Sequence, residues 1–251
     1  MKNRIVDFII LIICAMLCAI SCDEEKSATA PEVMTGTLTD IDGNTYNTIK
    51  IGNQWWMAEN LRVRHFQDGA EISHITDNSE WKECGSSYFG GRAACCAFSN
   101  EENNVATYGL LYNWYAMGGE IAPDGWRVPT DEDWKILEQQ LGMSSSQADE
   151  KGCRASGVGG QMKERGTTHW ASPNEGASNT SGFAALPGGL RYSEGSFSES
   201  GRYAYFWTSN FDLVLWGDIP CWHRYLRYDE STVCRSTTHV RSGLSIRLVK
   251  E

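Results

Sequence analysis

The chain has no excess of positive charge. Its 22 Lys and Arg stand against 32 Asp and Glu, a formal net charge of −10. Proteins that read nucleic acid need a basic face, so that class is excluded, and a polyanionic ligand is disfavoured for the same reason. After the N-terminus no apolar run is long enough to cross a bilayer, which takes about 20 residues. The histidines His65, His74, His169, His223 and His239 fall in no nucleophile or metal motif. No Cys-x-x-Cys pair has companion histidines, so neither a hydrolase constellation nor a conventional zinc site is read. No fixed-period repeat runs along the chain.

What is present begins with a secretory signal over residues 1–21. Lys2 and Arg4 open it, and Phe8 to Leu17 is apolar but too short to span. Ala19-Ile20-Ser21-Cys22 reads as a lipobox: a small residue precedes a cysteine whose thiol would take the lipid, although Ala19 stands where Leu is usual. Residues 22–33 then form a polar, acidic tether starting Asp23-Glu24-Glu25. An acidic cluster at that point resembles the surface-export signal of Bacteroidetes lipoproteins. The expected location is therefore the outer membrane, anchored through Cys22 and displayed at the cell surface, with the periplasmic face as the alternative.

Residues 34–251 suffice for one large domain. Of the nine cysteines, six lie beyond Cys22: Cys84, Cys95, Cys96, Cys153, Cys221 and Cys234. An even number in an exported chain predicts disulfides. Sequence does not choose among the pairings; the local ones are Cys221 with Cys234, and Cys84 with Cys95 or Cys96.

Thr35 to Asp40 alternates and predicts a strand, Asp42-Gly43 a tight turn, and Asn44 to Ile51 the returning strand. Asp40-x-Asp42-Gly43-Asn44 also suggests a calcium loop, but its closing Glu is missing and the hairpin is preferred. After a turn at Gly52-Asn53, Gln54 to Met57 reads as a third strand. Residues 62–107 read as a long loop region pinned by disulfides. Leu110, Leu111, Trp114 and Met117 predict a helix over 108–117. Thr130 with Asp133 forms the short version of a capping box for a helix over 130–141, whose buried face is Trp134, Leu137 and Leu141. Residues 144–181 read as loop. Runs at 183–186, 203–209, 222–228 and 243–249 are β-prone. The combination is α+β.

The ordered motifs Asp42-Gly43-Asn44-x-Tyr46, Trp56-Met57-Ala58-Glu59-Asn60-Leu61, Tyr108-Gly109-x-Leu111-Tyr112-Asn113-Trp114, Gly125-Trp126-Arg127-Val128-Pro129-Thr130, Leu186-Pro187-Gly188-Gly189-x-Arg191, Phe206-Trp207-Thr208-Ser209 and Gly243-x-Ser245-Ile246-Arg247 resemble the Fibrobacter succinogenes major paralogous domain family. Arg127-Val128-Pro129-Thr130 with Trp134, and the Gly243 to Arg247 ending, are also similar to formylglycine-generating (sulfatase-modifying) enzymes. The resemblance implies a C-type-lectin-like domain: two helices, small twisted antiparallel sheets and long loops. The cysteines depart from the family motifs, which contain none.

The expected function is a surface binding or adhesion module, with carbohydrate as the ligand class. Aromatic residues stack on sugars and make rigid contacts at interfaces. The ligand-binding candidates are Trp216, Trp222, His223 and Tyr225, with Arg224 as a polar anchor. Trp56, Trp114, Trp126, Trp134 and Trp207 sit inside family motifs and are read as core. The Glu-Pro-Asn, Gln-Pro-Asp and Trp-Asn-Asp motifs of calcium-dependent lectins are absent, so no catalytic, cofactor or metal residue is assigned. The alternative is a structural subunit of a fimbria-like assembly. An oxidase of the formylglycine-generating type would need closely spaced late thiols, whereas Cys221 and Cys234 have twelve residues between them and are more simply read as a structural disulfide.

Replacing Cys22 with Ala should leave unlipidated protein that no longer fractionates with membranes. Acyl labelling and membrane association that survived the substitution would remove the lipobox assignment.

Overall fold

The first hairpin is built by its turn. Gly43 takes φ +79°, open to glycine. The Asp40 carboxylate accepts from the backbone N–H of Asp42 (3.0 Å) and Asn44 (2.9 Å), and from the Tyr46 hydroxyl at 2.5 Å. Its oxygens are thereby occupied by the turn itself, as the hairpin reading requires. The computed structural model describes residues 33–85, 90–118, 120–212 and 220–251. The signal segment, Cys22, most of the tether and Trp216 lie outside the described residues.

In chain order the elements are β1 (Thr35–Thr39), β2 (Thr45–Ile51), β3 (Gln54–Met57), β4 (Ser73–His74), α1 (Asn78–Lys82), β5 (Ala94–Cys96), α2 (Val105–Tyr108), β6 (Leu111–Tyr112), β7 (Trp126–Arg127), α3 (Asp131–Gln140), α4 (Ser145–Asp149), β8 (Gly152–Arg154), α5 (Val158–Met162), β9 (Gly188–Arg191), β10 (Phe197–Ser200), β11 (Tyr203–Phe211), β12 (Pro220–Arg227), β13 (Val233–His239) and β14 (Val249–Lys250). They form three sheets, ordered β1-β2-β3-β14-β7, β10-β9-β11-β12-β13-β8 and β4-β5-β6. The fold class is α+β. No helix of the described residues is long and apolar enough to cross a membrane.

Helix α3 starts as its sequence predicts. Thr130 Oγ1 accepts from the Asp133 N–H (3.1 Å), and an Asp133 oxygen accepts from the Thr130 N–H (2.7 Å). Arg127 adds a guanidinium contact to Asp133 at 2.8 Å. The motif shared with an enzyme family is thus spent on starting a helix. Trp134 and Leu137 are fully buried. Trp134 packs 5.0 Å from Trp56, 5.7 Å from Phe183 and 5.6 Å from Phe206, measured between ring centroids. Trp56 and Trp207 are likewise fully buried, and Trp114 and Trp126 are half-buried against the neighbouring cluster.

Other family motifs also turn inward. Arg247, fully buried, donates to Asn60 Oδ1 (2.8 Å) and to the carbonyls of Phe183 and Ala184. Burial pushes its pKa down to about 9. Arg191 donates to the carbonyls of Gly195, Ile75 and Thr76 and to Asn78 Oδ1. Asn60 completes the set by donating to the Tyr108 carbonyl at 2.8 Å.

Three expectations are corrected. The predicted helix over 108–117 is instead the end of α2, strand β6 and a 3-10 turn at Trp114–Gly118. Gly109 takes φ +71°, and a Cβ there would lie 2.6 Å from the Leu61 carbonyl. Tyr112 exchanges backbone hydrogen bonds with Leu244 (2.9 and 3.0 Å) and pairs with Cys95, so strand partners outcompete a local helical pattern. The expected pair of helices becomes one ten-residue helix, α3, with single-turn helices around it. The loop expected over 144–181 contains α4, β8 and α5.

The cysteines differ most. Cys153 is bonded to Cys234, its direct opposite across the β8–β13 ladder. Neither local pairing forms. Cys84, Cys95 and Cys96 are buried thiols, and so is Cys221. The 62–107 region is therefore held by packing: Cys84 and Cys96 lie in an apolar cluster with Ile75, Trp81 and Leu111. Burial pushes the Cys95 thiol up to about 12 and Cys96 to about 11, which suppresses the thiolate that oxidation requires.

Losing the Thr130 cap to Ala should cost about 1 kcal/mol. Trp134→Ala should cost roughly 3–5 kcal/mol, a large share of the ~5–15 kcal/mol typical of a domain. Denaturant titration measures both, and an unchanged midpoint for Trp134→Ala would show that this side chain is not a core residue.

Candidate functional site

Strands β11 and β12 run antiparallel, with Tyr205 opposite Tyr225 and Trp207 opposite His223. Successive side chains of a strand point to opposite faces. Tyr203, Tyr205 and Trp207 therefore share one face with His223 and Tyr225, while Phe206, Trp222 and Arg224 share the other. The candidates Trp222, His223, Arg224 and Tyr225 are consecutive in sequence and are separated by this alternation.

The helix-facing side is committed to structure. Arg224 is fully buried; it donates to Glu138 Oε1 at 2.5 Å and to Asp131 Oδ1 at 2.8 Å. Arg235 meets Asp131 through two contacts, at 2.9 and 2.8 Å, and Arg154 meets Glu138 at 3.0 Å. Burial alone would raise the Asp131 pKa, but hydrogen bonds and charge from Arg235 and Arg224 override it and hold it at about 2. Trp222 is buried between cations, with the Arg235 guanidinium 3.8 Å and the Lys151 ammonium 4.6 Å from its ring. Arg224 as a polar anchor is thus corrected: its hydrogen bonds go to the anions that join sheet to helix. Trp222 is spent on the same packing.

The opposite face carries a row of stacked rings. Tyr203 and Tyr205 have centroids 5.6 Å apart and planes within 8°. Nearly parallel rings at this distance are in the offset-stacking range. Tyr205 and Tyr225 follow at 5.6 Å, then Tyr225 and His223 at 5.8 Å. Tyr203, Tyr205 and Tyr225 are each partly exposed, and Tyr192, 40% exposed, extends the surface. Burial raises the pKa of all three ridge tyrosines, and at Tyr205 the nearby Glu199 and Tyr203 raise it further. Their hydroxyls consequently remain protonated at physiological pH and can both donate and accept.

His223 lies at the inner end of the row, 5% exposed. Burial, reinforced by the adjacent Arg224 charge, lowers its pKa to about 3, so it is neutral and acts as an aromatic support. Tyr203 and Tyr205 were not legible as site residues in sequence. The available signal was the alternation Tyr203-x-Tyr205-x-Trp207, but only the register with β12 makes it one surface.

A separate cavity of about 540 Å³ is lined by Gln67, Met117, residues 120–128, Thr130, Ser209 and Glu251. Trp126 and Ile121 line it, with Glu120, Asp124 and Glu251 also on its wall. Among the described residues, Trp222, His223, Arg224 and Tyr225 are not on its wall. Nor are Cys221 and Cys234 brought together as a thiol pair. Cys221 faces Thr238 across the ladder and Cys234 is bonded to Cys153.

The family described as Fibrobacter succinogenes major domain matches residues 49–250. No curated protein matches the chain, and neither does any solved structure.

The neutral His223 makes stability pH-dependent in a defined direction. The unfolded chain takes up this proton as pH falls below 6.5, whereas the folded chain resists it down to about 3. Stability is complete above the unfolded value and declines across that window, by up to ~1.4 kcal/mol per pH unit for one proton. Denaturant titrations at intervals from about pH 6 to 4 should show His223→Leu with a flatter profile than the parent. Equal slopes in the two proteins would show that His223 is not held neutral.

Proposed function

The chain belongs to the Fibrobacter succinogenes major domain family, and from that premise we propose that it is a surface-displayed binding module that recognises carbohydrate. The tyrosine ridge is its contact surface. The single observation that carries this reading is the continuous row Tyr203–Tyr205–Tyr225, partly exposed, with ring centroids 5.6 Å apart at each step and with neutral hydroxyls. Tyrosine offers a large amphipathic contact at small entropic cost. A row of donor–acceptor hydroxyls suits a ligand rich in hydroxyls, and the net charge of −10 favours a neutral one.

The reading includes a C-type-lectin-like architecture, supported by the small, largely antiparallel sheets, the single longer helix and the long irregular segments. It also includes anchoring through Cys22 at the outer membrane, supported by the lipobox and the acidic tether. Calcium has no part in it.

A glycan array probed with the non-lipidated Cys22→Ala protein tests the proposal. Binding to neutral glycans is expected. Tyr203→Phe and Tyr225→Phe, which keep the stack and remove one hydroxyl each, should each weaken it by roughly 3- to 10-fold, the scale of one net hydrogen bond. Melting temperatures should barely change. Failure to bind any glycan would remove the carbohydrate reading. Glycan binding unaffected by either substitution would move the site off the ridge, with the cavity at Trp126 next in line.

A further inference from the structure

At the edge of the six-stranded sheet, three side chains that sequence alone keeps far apart converge. Cys153 on β8, Cys234 on β13 and Glu230 in the β12–β13 turn each bring one ligand atom within 4.8 Å of the other two. Cys153 is exposed, Glu230 half-buried and Cys234 buried, so the cluster opens to solvent on one side. We propose that this cluster, in its dithiol form, binds one thiophilic divalent cation of the zinc class. The inference is independent of the ridge and its ligand.

The donor set fits such an ion. Zinc binds thiolate sulfur at about 2.3 Å and carboxylate oxygen at about 2.0–2.2 Å. Two such bonds meeting at a tetrahedral angle span under ~4 Å, so once the S–S bond is broken the two sulfurs must separate toward that span, with the Glu230 carboxylate already within 4.8 Å of both. Two sulfurs and one oxygen select a thiophilic ion over calcium or magnesium, which prefer all-oxygen shells. Three protein ligands leave a fourth position for water on the exposed Cys153 side.

The surroundings are built to hold these ligands. Thr232 Oγ1 donates to Glu230 Oε2 at 2.9 Å and lies 3.8 Å from Cys234 Sγ. The Tyr225 hydroxyl lies 3.6 Å from Cys153 Sγ. Arg227 contacts the other Glu230 oxygen at 3.2 Å. Lys163, fully buried, donates to the backbone carbonyls of Glu230 (2.9 Å) and Arg227 (2.8 Å) and so fixes the turn that carries the carboxylate. Such outer contacts orient ligands and tune a metal site. The two nearby cations also offset part of the negative charge that two thiolates and a carboxylate would bring.

The bridge is the closed state of the site. Opening it is a two-electron step. An external dithiol gives up two electrons and two protons and becomes a disulfide; the protein S–S bond breaks and its sulfurs take up those electrons and protons. The cation then displaces the two thiol protons as it binds.

The test uses the full mature chain, oxidised and after reduction by a phosphine, which leaves as the phosphine oxide with oxygen from water. Zinc is titrated against a chromophoric chelator, and melting is followed with and without zinc. The reduced chain should bind one zinc per molecule and melt higher in its presence, while the oxidised chain does neither. Cys153→Ser should abolish the effect. Glu230→Gln, which leaves both cysteines in place, should weaken binding roughly tenfold or more. A reduced chain that takes up no zinc and gains no melting temperature overturns the proposal. So does undiminished binding in both Cys153→Ser and Glu230→Gln, because the buried thiols would then be holding the ion.

Discussion

The structure depends on a cluster of buried charges between one helix and one sheet. Asp131 and Glu138, about two turns apart on α3, hold Arg224 of β12, Arg235 of β13 and Arg154 of β8. Arg224, Arg154 and Glu138 have essentially no side-chain exposure. Buried pairs of this kind repay their desolvation only when geometry and extra hydrogen bonds are good, and removing one partner costs about 3–5 kcal/mol because a charge is left behind. The cluster therefore acts as a register device. It admits one docking of α3 on three neighbouring strands, and that docking decides which face of β11 and β12 is left to carry the tyrosines. Asp131 gains further from its place in the first turn, where the helix dipole favours an anion.

The same physics explains how a chain with long irregular segments keeps a defined shape. Irregular backbone leaves carbonyls without ladder partners, and buried carbonyls must be satisfied. Arg191, Arg247 and Lys163 do this with their several donors; Lys163 alone reaches the carbonyls of Glu175, Arg227 and Glu230 at 2.8–2.9 Å. Arg247 also lies over Phe183 at 4.3 Å, and Arg191 over Trp81 at 4.3 Å. Several polar residues of the family motifs are thus internal clamps. That is why the motifs identify the family and say so little about ligand or reaction.

The tyrosine ridge and the Cys153–Cys234–Glu230 cluster are neighbours. Tyr225 belongs to the ridge, pairs with Cys234 across the ladder and directs its hydroxyl to Cys153. Both grow from the solvent-facing side of the same strands whose other side is closed by the ionic cluster.

Short-range features were decided by the sequence itself. Asp40 and Gly43 make the first turn, and Thr130 with Asp133 starts α3, because every interaction that matters lies within a few residues. The excess of Asp and Glu over Lys and Arg is likewise read without any fold. The helix expected over 108–117 failed because Leu110, Tyr112 and Trp114 find backbone partners in Leu61, Leu244 and Val240, distant residues that no local pattern can anticipate. The disulfide partner of Cys234 is 81 residues away in sequence and is selected by strand register. The division of Trp222-His223-Arg224-Tyr225 between two faces of the sheet, with only Tyr225 left partly exposed, needed the tertiary structure for the same reason. Alternation says that neighbours part company, but only the docking of α3 decides which face goes inward.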